Sequence, residues 1–148
     1  MHQTGQNDSI PQVHDMNART NILVIDDEEV VRRSFHRALA GSQCKVDTAP
    51  SGTTALQAMA SKPFDVVLLD LRMPEMDGVA VLEQIKRRWP RTEVIVVTGY
   101  PALETAKKAI ELGAYDYLAK PIGPEEVLQA AHGAVLHKRW ALQHDEAA

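Results

Sequence analysis

The chain has 148 residues, 45% of them apolar and 24% charged, which is the length and composition of one globular domain and excludes disorder throughout. Sixteen Lys and Arg against twenty Asp and Glu leave a formal charge of −4, so the balance offers no broad basic footprint for nucleic acid or an anionic membrane. A single cysteine, Cys44, excludes a disulfide framework and a Cys-based zinc site.

The opening segment, Met1 to Thr20, is polar, carries Gly5 and Pro11, and lacks the apolar core of a secretory signal, so it reads as a flexible tail over residues 1–20. No stretch approaches the roughly 20 consecutive apolar residues of a membrane span, and a cytoplasmic location is expected. After Thr20 the pattern changes. Asn21 to Ile25 (NILVI) is a short apolar run that stops at Asp26, Asp27, Glu28 and Glu29, as a buried strand running into acid. Glu28 to Ala40 then sets Val30, Val31, Phe35, Ala38 and Leu39 at helical spacing among arginines, with Gly41 to end the helix. Cys44 to Ala49 alternates as a second strand, and Ser51 is placed to cap a helix reaching about Ala60 with Leu56 and Met59 inward.

Phe64 to Leu69 (FDVVLL) is the next apolar run and it too ends in a carboxylate, Asp70, followed by the breaker-rich stretch Met73 to Gly78. Val79 to Trp89 is the third helix, stopped by Pro90; Glu93 to Val97 is the fourth strand, ending at Thr98 and Gly99. A helix from about Ala102 to Leu112 ends near Gly113, Tyr115 to Ala119 makes the fifth strand before Lys120 and Pro121, and a last helix runs from Pro124 to about Gln143. Five strands alternating with five helices imply a doubly wound α/β fold, since parallel strands need crossover connections. Ligands in such sheets sit at the carboxyl ends of the strands.

What stands at those ends is a chemical set. Asp26 and Asp27 follow the first strand, Asp70 the third, Thr98 the fourth and Lys120 the fifth. Three converging carboxylates repel one another unless a cation lies among them, and an all-oxygen cluster suits a hard ion such as Mg²⁺. A lysine and a hydroxyl beside it supply what a phosphoryl group needs. Taken one at a time each residue is a turn acid, a loop threonine or a surface lysine; their joint occurrence at four strand ends favours a site.

These residues lie in motifs that resemble the receiver domains of two-component response regulators: VIDDEE at Val24 to Glu29, VVLLDLRMPEMDG at Val66 to Gly78, VVTGY at Val96 to Tyr100 and YLAKPI at Tyr117 to Ile122. The resemblance covers about Asn21 to Ala141, so the chain divides into a tail at 1–20, a receiver at 21–142 and a C-terminal tail at 143–148. The VTGY and ELGAYDYLAKP segments look like receivers that precede AAA+ transcription activators. The resemblance implies a flavodoxin-like five-stranded parallel sheet in the order 2-1-3-4-5 with five helices. It implies that Asp70 accepts a phosphoryl group from a sensor histidine kinase or phosphotransfer protein. Asp27, Asp70 and the Arg72 carbonyl, with Asp26 directly or through water, would hold Mg²⁺. Lys120 would pair with a phosphoryl oxygen, Thr98 would bond another after phosphorylation, and Pro121 would follow a cis peptide bond. Tyr117 would be the switching ring, with Tyr115 as packing. The responding surface would be the fourth helix, fifth strand and fifth helix, for an output partner or a homodimer. Kinase docking would use the first helix, with Val31 and Ser34 at the surface and Phe35 chiefly in the core. The chain would bind no nucleic acid directly and would be no enzyme beyond its own phosphorylation and dephosphorylation.

Two other classes remain. An aspartate-based phosphohydrolase of the haloacid dehalogenase type wants a second acid two residues after the nucleophile, where Arg72 stands. A phosphorylation-independent binding module on the same sheet usually lacks one of the acidic or lysine positions, whereas all five are present. His36, His132, His137 and His144 have no paired motif and are expected to be solvated; Trp89 and Trp140 are expected to pack at helix ends, and Met73 and Met76 to pack.

Overall fold

The computed structural model describes residues 20–147 apart from Gln43 and Glu75; the tail expected at residues 1–20 lies outside these residues except for Thr20. Five strands, β1 (Asn21–Ile25), β2 (Lys45–Ala49), β3 (Val66–Leu69), β4 (Glu93–Thr98) and β5 (Asp116–Ala119), alternate with five helices, α1 (Glu29–Ala40), α2 (Gly52–Ser61), α3 (Gly78–Arg88), α4 (Leu103–Glu111) and α5 (Pro124–Ala147). All neighbouring strands are parallel and lie in the order β2-β1-β3-β4-β5, the doubly wound arrangement expected.

The apolar runs are continuous because helices cover both faces of the sheet, and the twofold period of a strand sorts their residues between two cores. Leu23, Ile25, Val67, Leu69, Val94 and Val96 point to one side and meet Ala55 and Met59 of α2, Val81, Leu82 and Ile85 of α3 and Ala109 of α4. Ile22, Val24, Val66, Leu68, Ile95 and Val97 point to the other and meet Phe35 and Leu39 of α1 and Val127, Ala131, Ala134 and Val135 of α5. Each fully buried Val, Leu or Ile contributes about 1.5–3 kcal/mol relative to exposure, so the two layers hold the strand ends in fixed register.

Local chemistry sets the helix starts. Ser51 accepts a bond from the Thr54 N–H while the Thr54 hydroxyl accepts from the Ser51 N–H, a reciprocal capping box on α2. Asp77 caps α3 through the Val79 N–H. Gly78 is required there: a Cβ on it would lie 2.3 Å from the Leu71 Cα. Gly113, at φ +103°, turns the chain from α4 into β5.

Five expectations change. Thr20 is buried, and its carbonyl accepts the Lys45 N–H, extending the sheet one residue into the expected tail. Residues 143–147, expected as a C-terminal tail, continue α5, because no proline or glycine interrupts the chain between Ala134 and Ala147. Val30, expected on the inner face of α1, is 79% exposed because it lies in the first turn, beyond the reach of the sheet. On α5, Glu93 at the start of β4 takes His137 Nδ1 at 2.6 Å, Asp65 takes Lys138 Nζ at 2.6 Å, and His132 is buried with Nδ1 unpartnered. Neither His132 nor His137 is simply solvated. His36 and His144 are exposed as expected. Trp89 packs at the end of α3, whereas Trp140 is exposed and stacked on His144 with ring centroids 4.0 Å apart. Met73 and Met76 pack against the core on the α2 side.

Candidate functional site

The register of the sheet decides which side chains meet. Ile25 lies beside both Ala49 and Leu69, and Thr98 lies beside Ala119. The residue after each strand is anchored by its neighbour: the Asp26 N–H donates to the Ala49 carbonyl, the Asp70 N–H to the Ile25 carbonyl and the Lys120 N–H to the Thr98 carbonyl. Asp26, Asp70, Thr98 and Lys120 therefore leave the sheet at one edge, with their backbones fixed by the ladder itself. The Lys120–Pro121 peptide is cis, as the resemblance implies.

Asp26, Asp27 and Asp70 each offer a carboxylate oxygen within 4.8 Å of the others. Asp26 and Asp70 are buried and Asp27 is exposed. Asp26 Oδ1 accepts the Glu28 N–H at 2.9 Å, and Asp70 Oδ1 accepts the Arg72 N–H at 3.0 Å. The second oxygens face Lys120, whose Nζ lies 2.7 Å from Asp26 Oδ2 and 3.4 Å from Asp70 Oδ2, with Glu28 Oε1 at 3.8 Å. The ammonium is thus held mainly by Asp26 and only loosely by Asp70.

This geometry divides the charges unequally. Burial pushes the Asp70 carboxyl above the usual carboxylate range and the Asp26 charge adds to it, while the Arg72 N–H and Lys120 pull the other way without cancelling the rise. Burial alone would lower the Lys120 ammonium, but its bond to Asp26 and the two carboxylate charges outweigh that and hold it above the usual lysine value. Asp70 is therefore an under-neutralised acid beside a firmly charged lysine.

Thr98 is buried beneath the loop it starts, and its hydroxyl accepts the Tyr100 N–H at 3.2 Å. Tyr117 is half-buried against the core on the α2–α4 side, and its hydroxyl accepts the Ala102 N–H at 3.3 Å, which ties β5 to the start of α4. Tyr115 packs on the opposite side, against His137 and beside Gly133. The two tyrosines thus fall where the sequence separates them. Above the carboxylates lies an open pocket of about 450 Å³ lined by Asp27, Glu28, Asp70, Arg72, Gly99, Tyr100 and Lys120.

The donor set fits a hard divalent cation: three carboxylates of high charge density, one of them exposed and none with a soft or nitrogen ligand. Three residues of the site, Glu28, Arg32 and Tyr100, were not singled out from the sequence, and Arg72 was singled out for its carbonyl and not for its guanidinium. Glu28 approaches Lys120, the Arg32 guanidinium donates to the Asp26 carbonyl at 2.8 Å, and the Arg72 guanidinium lies 4.1 Å over the Tyr100 ring. Glu28 and Tyr100 sit in the quoted motifs, but only the three-dimensional loops bring them to the pocket. Arg72 brings a cation to the place where a haloacid dehalogenase would need its second acid.

Residues 22–132 match the family described as Response regulator receiver domain. The DNA-binding transcriptional regulator NtrC of Escherichia coli (strain K12) is 42% identical over 116 residues, covering 78% of this chain and 25% of its own length. The regulatory protein AtoC of the same strain is 43% identical over 112 residues, covering 76% and 24%. The chain thus spans about a quarter of the curated relatives it matches. Among solved structures, NtrX from Brucella abortus superposes with a TM-score of 0.82 at 30% identity over 89% of this chain and 30% of that one. A CheY-like receiver domain protein from Methanospirillum hungatei JF-1 superposes at 0.79 with 27% identity, covering 81% and 96%. With the family pattern running from β1 into α5 and the acidic pocket formed at the strand ends, the chain belongs to the response regulator receiver domains of two-component signalling, of the type carried by NtrC and AtoC.

Proposed function

We propose that this domain is a phosphoacceptor switch in a two-component phosphorelay. The observation that carries the reading is the convergence of Asp26, Asp27 and Asp70 with the Lys120 ammonium and the Thr98 hydroxyl at one open pocket. Asp70 attacks the phosphorus of a phosphohistidine; the new bond joins a carboxylate oxygen to phosphorus, the nitrogen–phosphorus bond breaks, and the histidine leaves. Asp27, Asp70 and the Arg72 carbonyl, with Asp26 directly or through water, would hold Mg²⁺, which neutralises phosphoryl charge and favours in-line displacement. The chain does the rest: Lys120 pairs with a phosphoryl oxygen, and Thr98 supplies a hydroxyl to another. There is no separate substrate turnover, only self-catalysed phosphorylation and hydrolysis.

The added charge of about −1.5 to −2 on Asp70 draws Thr98 inward, and the space released admits the Tyr117 ring. That movement breaks the contact between Tyr117 and Ala102 and so alters α4, β5 and α5. Leu103 and Ile110 stand exposed on α4, 75% and 53%, and would meet an output partner or a second copy of the chain. At the other side of the pocket an apolar groove of about 360 Å³, lined by Val30, Val31, Ser34, Phe35, Pro121 and Ile122 with Lys120 at its edge, suits docking of a histidine kinase or phosphotransfer protein. The acidic balance of the chain argues against direct nucleic-acid binding. No helix among the described residues is long and apolar enough to cross a membrane, and the cytoplasm is the compartment where such partners meet.

The test is intact mass spectrometry after incubation with acetyl phosphate, with and without Mg²⁺, followed by mapping of the modified residue. One Mg²⁺-dependent, hydrolysable phosphoryl group on Asp70 supports the switch. Failure to accept it from either acetyl phosphate or a phosphorylated kinase, under conditions where Mg²⁺ binds, would favour a phosphorylation-independent binding module.

A further inference from the structure

The helix α1 turns two chemically different halves to its surroundings. Helical phase sets Val30, Val31, Ser34 and Phe35 on one half, along the apolar groove, and Glu29, Arg32, Arg33, His36 and Arg37 on the other. The second half overhangs β2, an edge strand with a neighbour on one side only. Val46 of β2 packs into the core beneath α1, so Thr48, two residues further along the strand, turns toward the same helix. Between helix and strand lies a cavity of about 470 Å³ lined by Glu29, Arg32, Arg33, His36, Arg37 and Thr48. Three arginines against one glutamate make it cationic in a chain whose formal charge is −4. Arg33 Nη2 holds Glu29 Oε2 at 3.0 Å, and Arg32 Nη1 donates to the Asp26 carbonyl at 2.8 Å, which fixes that guanidinium in place. Among the described residues no hydrogen bond or ion pair holds the Arg37 guanidinium or the His36 ring. Arg33 and Arg37 stand four apart on one row of the helix, where like charges repel, and both are exposed, so packing gives no reason for the pair.

We propose that the cavity between α1 and β2 is a binding site for a small molecule carrying two phosphoryl groups, separate from the Asp70 pocket and independent of the phosphoacceptor reading. An anion among the arginines turns their mutual repulsion into attraction. Each guanidinium presents five N–H donors in a planar fork that meets phosphoryl oxygens two at a time, and Arg33 keeps donors to spare after serving Glu29. Arg33 and Arg37 on one row and Arg32 on the next offer such forks at two places, which is the reason for two phosphoryl groups rather than one. The Thr48 hydroxyl adds a neutral donor, and the Glu29 carboxylate is an acceptor for a hydroxyl on the body of the ligand. The volume lies within the range of about 300–1,000 Å³ usual for small-molecule sites. A concave site of this size, with its donors on three sides, suits a compact polyanion better than an extended acidic segment of a protein.

The experiment follows the backbone amide signals of the full chain by NMR, in chelator, as fructose bisphosphate, pyrophosphate, inorganic phosphate and sulfate are added in separate titrations. Fructose bisphosphate is expected to shift Arg32, Arg33, His36, Arg37 and Thr48 along one saturating curve, about tenfold or more tighter than inorganic phosphate, because the second phosphoryl group adds charge-assisted bonds. Pyrophosphate binding as tightly as the sugar assigns the site to a joined pair of phosphoryl groups, and weaker binding assigns it to a separated pair; either supports the proposal. Arg33→Gln and Arg37→Gln, both at exposed positions, are each expected to weaken binding about tenfold, the worth of one hydrogen bond to a charged group. Lys45→Gln removes the same charge from an exposed position outside the cavity and is expected to leave the affinity within about twofold. The dispersion of the same spectra shows that each variant is folded. Absence of a saturating shift, weakening by Lys45→Gln equal to that of the arginine variants, or shifts confined to Thr98, Gly99 and Lys120 at the Asp70 pocket overturn the proposal. So do sulfate binding as tightly as fructose bisphosphate, which means an adventitious ion only, and tighter binding of an oligoglutamate peptide, which means an acidic protein segment.

Discussion

Replacing Asp70 by asparagine is expected to stabilise the protein when divalent cations are removed. The carboxylate oxygens of Asp26, Asp27 and Asp70 lie within 4.8 Å of one another. At that outer limit two unit charges repel by about 0.9 kcal/mol at the dielectric constant of water and about 3.5 kcal/mol at an effective value of 20. Two such neighbours therefore cost Asp70 about 2–7 kcal/mol. Attraction to Lys120 at 3.4 Å returns about 1–5 kcal/mol between the same limits. A residue of about 0.5–2 kcal/mol remains, to which burial of the carboxylate adds. Asparagine keeps the shape and the oxygen that accepts the Arg72 N–H, so a gain of about 1 kcal/mol, or about 2–4 °C in Tm for a chain of this size, is expected at neutral pH. The sign follows from the raised Asp70 value. The ionised group costs stability only above its unfolded pKa of about 3.9, and the cost is complete once pH passes the higher folded value. The advantage of asparagine is thus full near pH 7–8, shrinks as pH falls through the folded value, and vanishes below about pH 3.9. Thermal unfolding in chelator across that range measures it. A variant less stable than the wild type at pH 7 in chelator, or an advantage undiminished at the acid end, refutes the account. Added Mg²⁺ is expected to reverse the order, since it binds the folded wild type more tightly.

The remaining predictions concern the lysine and the scaffold. Lys120→Met is expected to bind Mg²⁺ about tenfold more tightly by isothermal titration calorimetry, as for single and double positive charges about 5 Å apart in water, while failing to relay phosphorylation to α4 and β5. Gly78→Ala is expected to lose about 1–3 kcal/mol or more in urea unfolding, since its Cβ would lie 2.3 Å from the Leu71 Cα and backbone has to move. Ser51→Ala removes one half of the α2 capping box and is expected to lose about 0.5–2 kcal/mol in the same assay, with phosphoryl uptake at Asp70 unchanged.

The strands were legible because a parallel sheet covered on both faces makes runs such as Asn21–Ile25 and Val66–Leu69 apolar without interruption, and the first polar residue after each run marks the site edge. That is why the sequence alone places Asp26, Asp70, Thr98 and Lys120 together at one edge. The pairing within the set was not legible. That Lys120 sits 0.7 Å closer to Asp26 than to Asp70 depends on side-chain reach across strand ends, which no spacing encodes. The Arg72–Tyr100 contact joins two loops whose paths are set by the turns around Gly78 and Gly99. Histidine burial on α5 failed for another reason: Ala130, Ala131, Gly133 and Ala134 blur the boundary between its packed and wet faces. His132 then falls on the packed side, and the buried Glu93 carboxylate, which draws in His137, announces itself only through the register of β4.

The length of α5 has a mechanical consequence. Twenty-four residues at 1.5 Å each make a rod of about 36 Å, whereas a strand of four to six residues spans about 13–20 Å. Its start follows Lys120 and Pro121 at the pocket edge, and His137 and Lys138 clasp Glu93 and Asp65 at the far edge of the sheet, so the last nine residues project past that anchorage. The helix is a lever whose longer arm, about 20 Å from Pro124 to His137, lies along the sheet and whose free arm reaches about 13 Å beyond the anchorage. Rotation of a few degrees about the Glu93 and Asp65 anchorage, too small to disturb the core, becomes about an ångström of travel at the tip, in the direction opposite to the movement at Lys120.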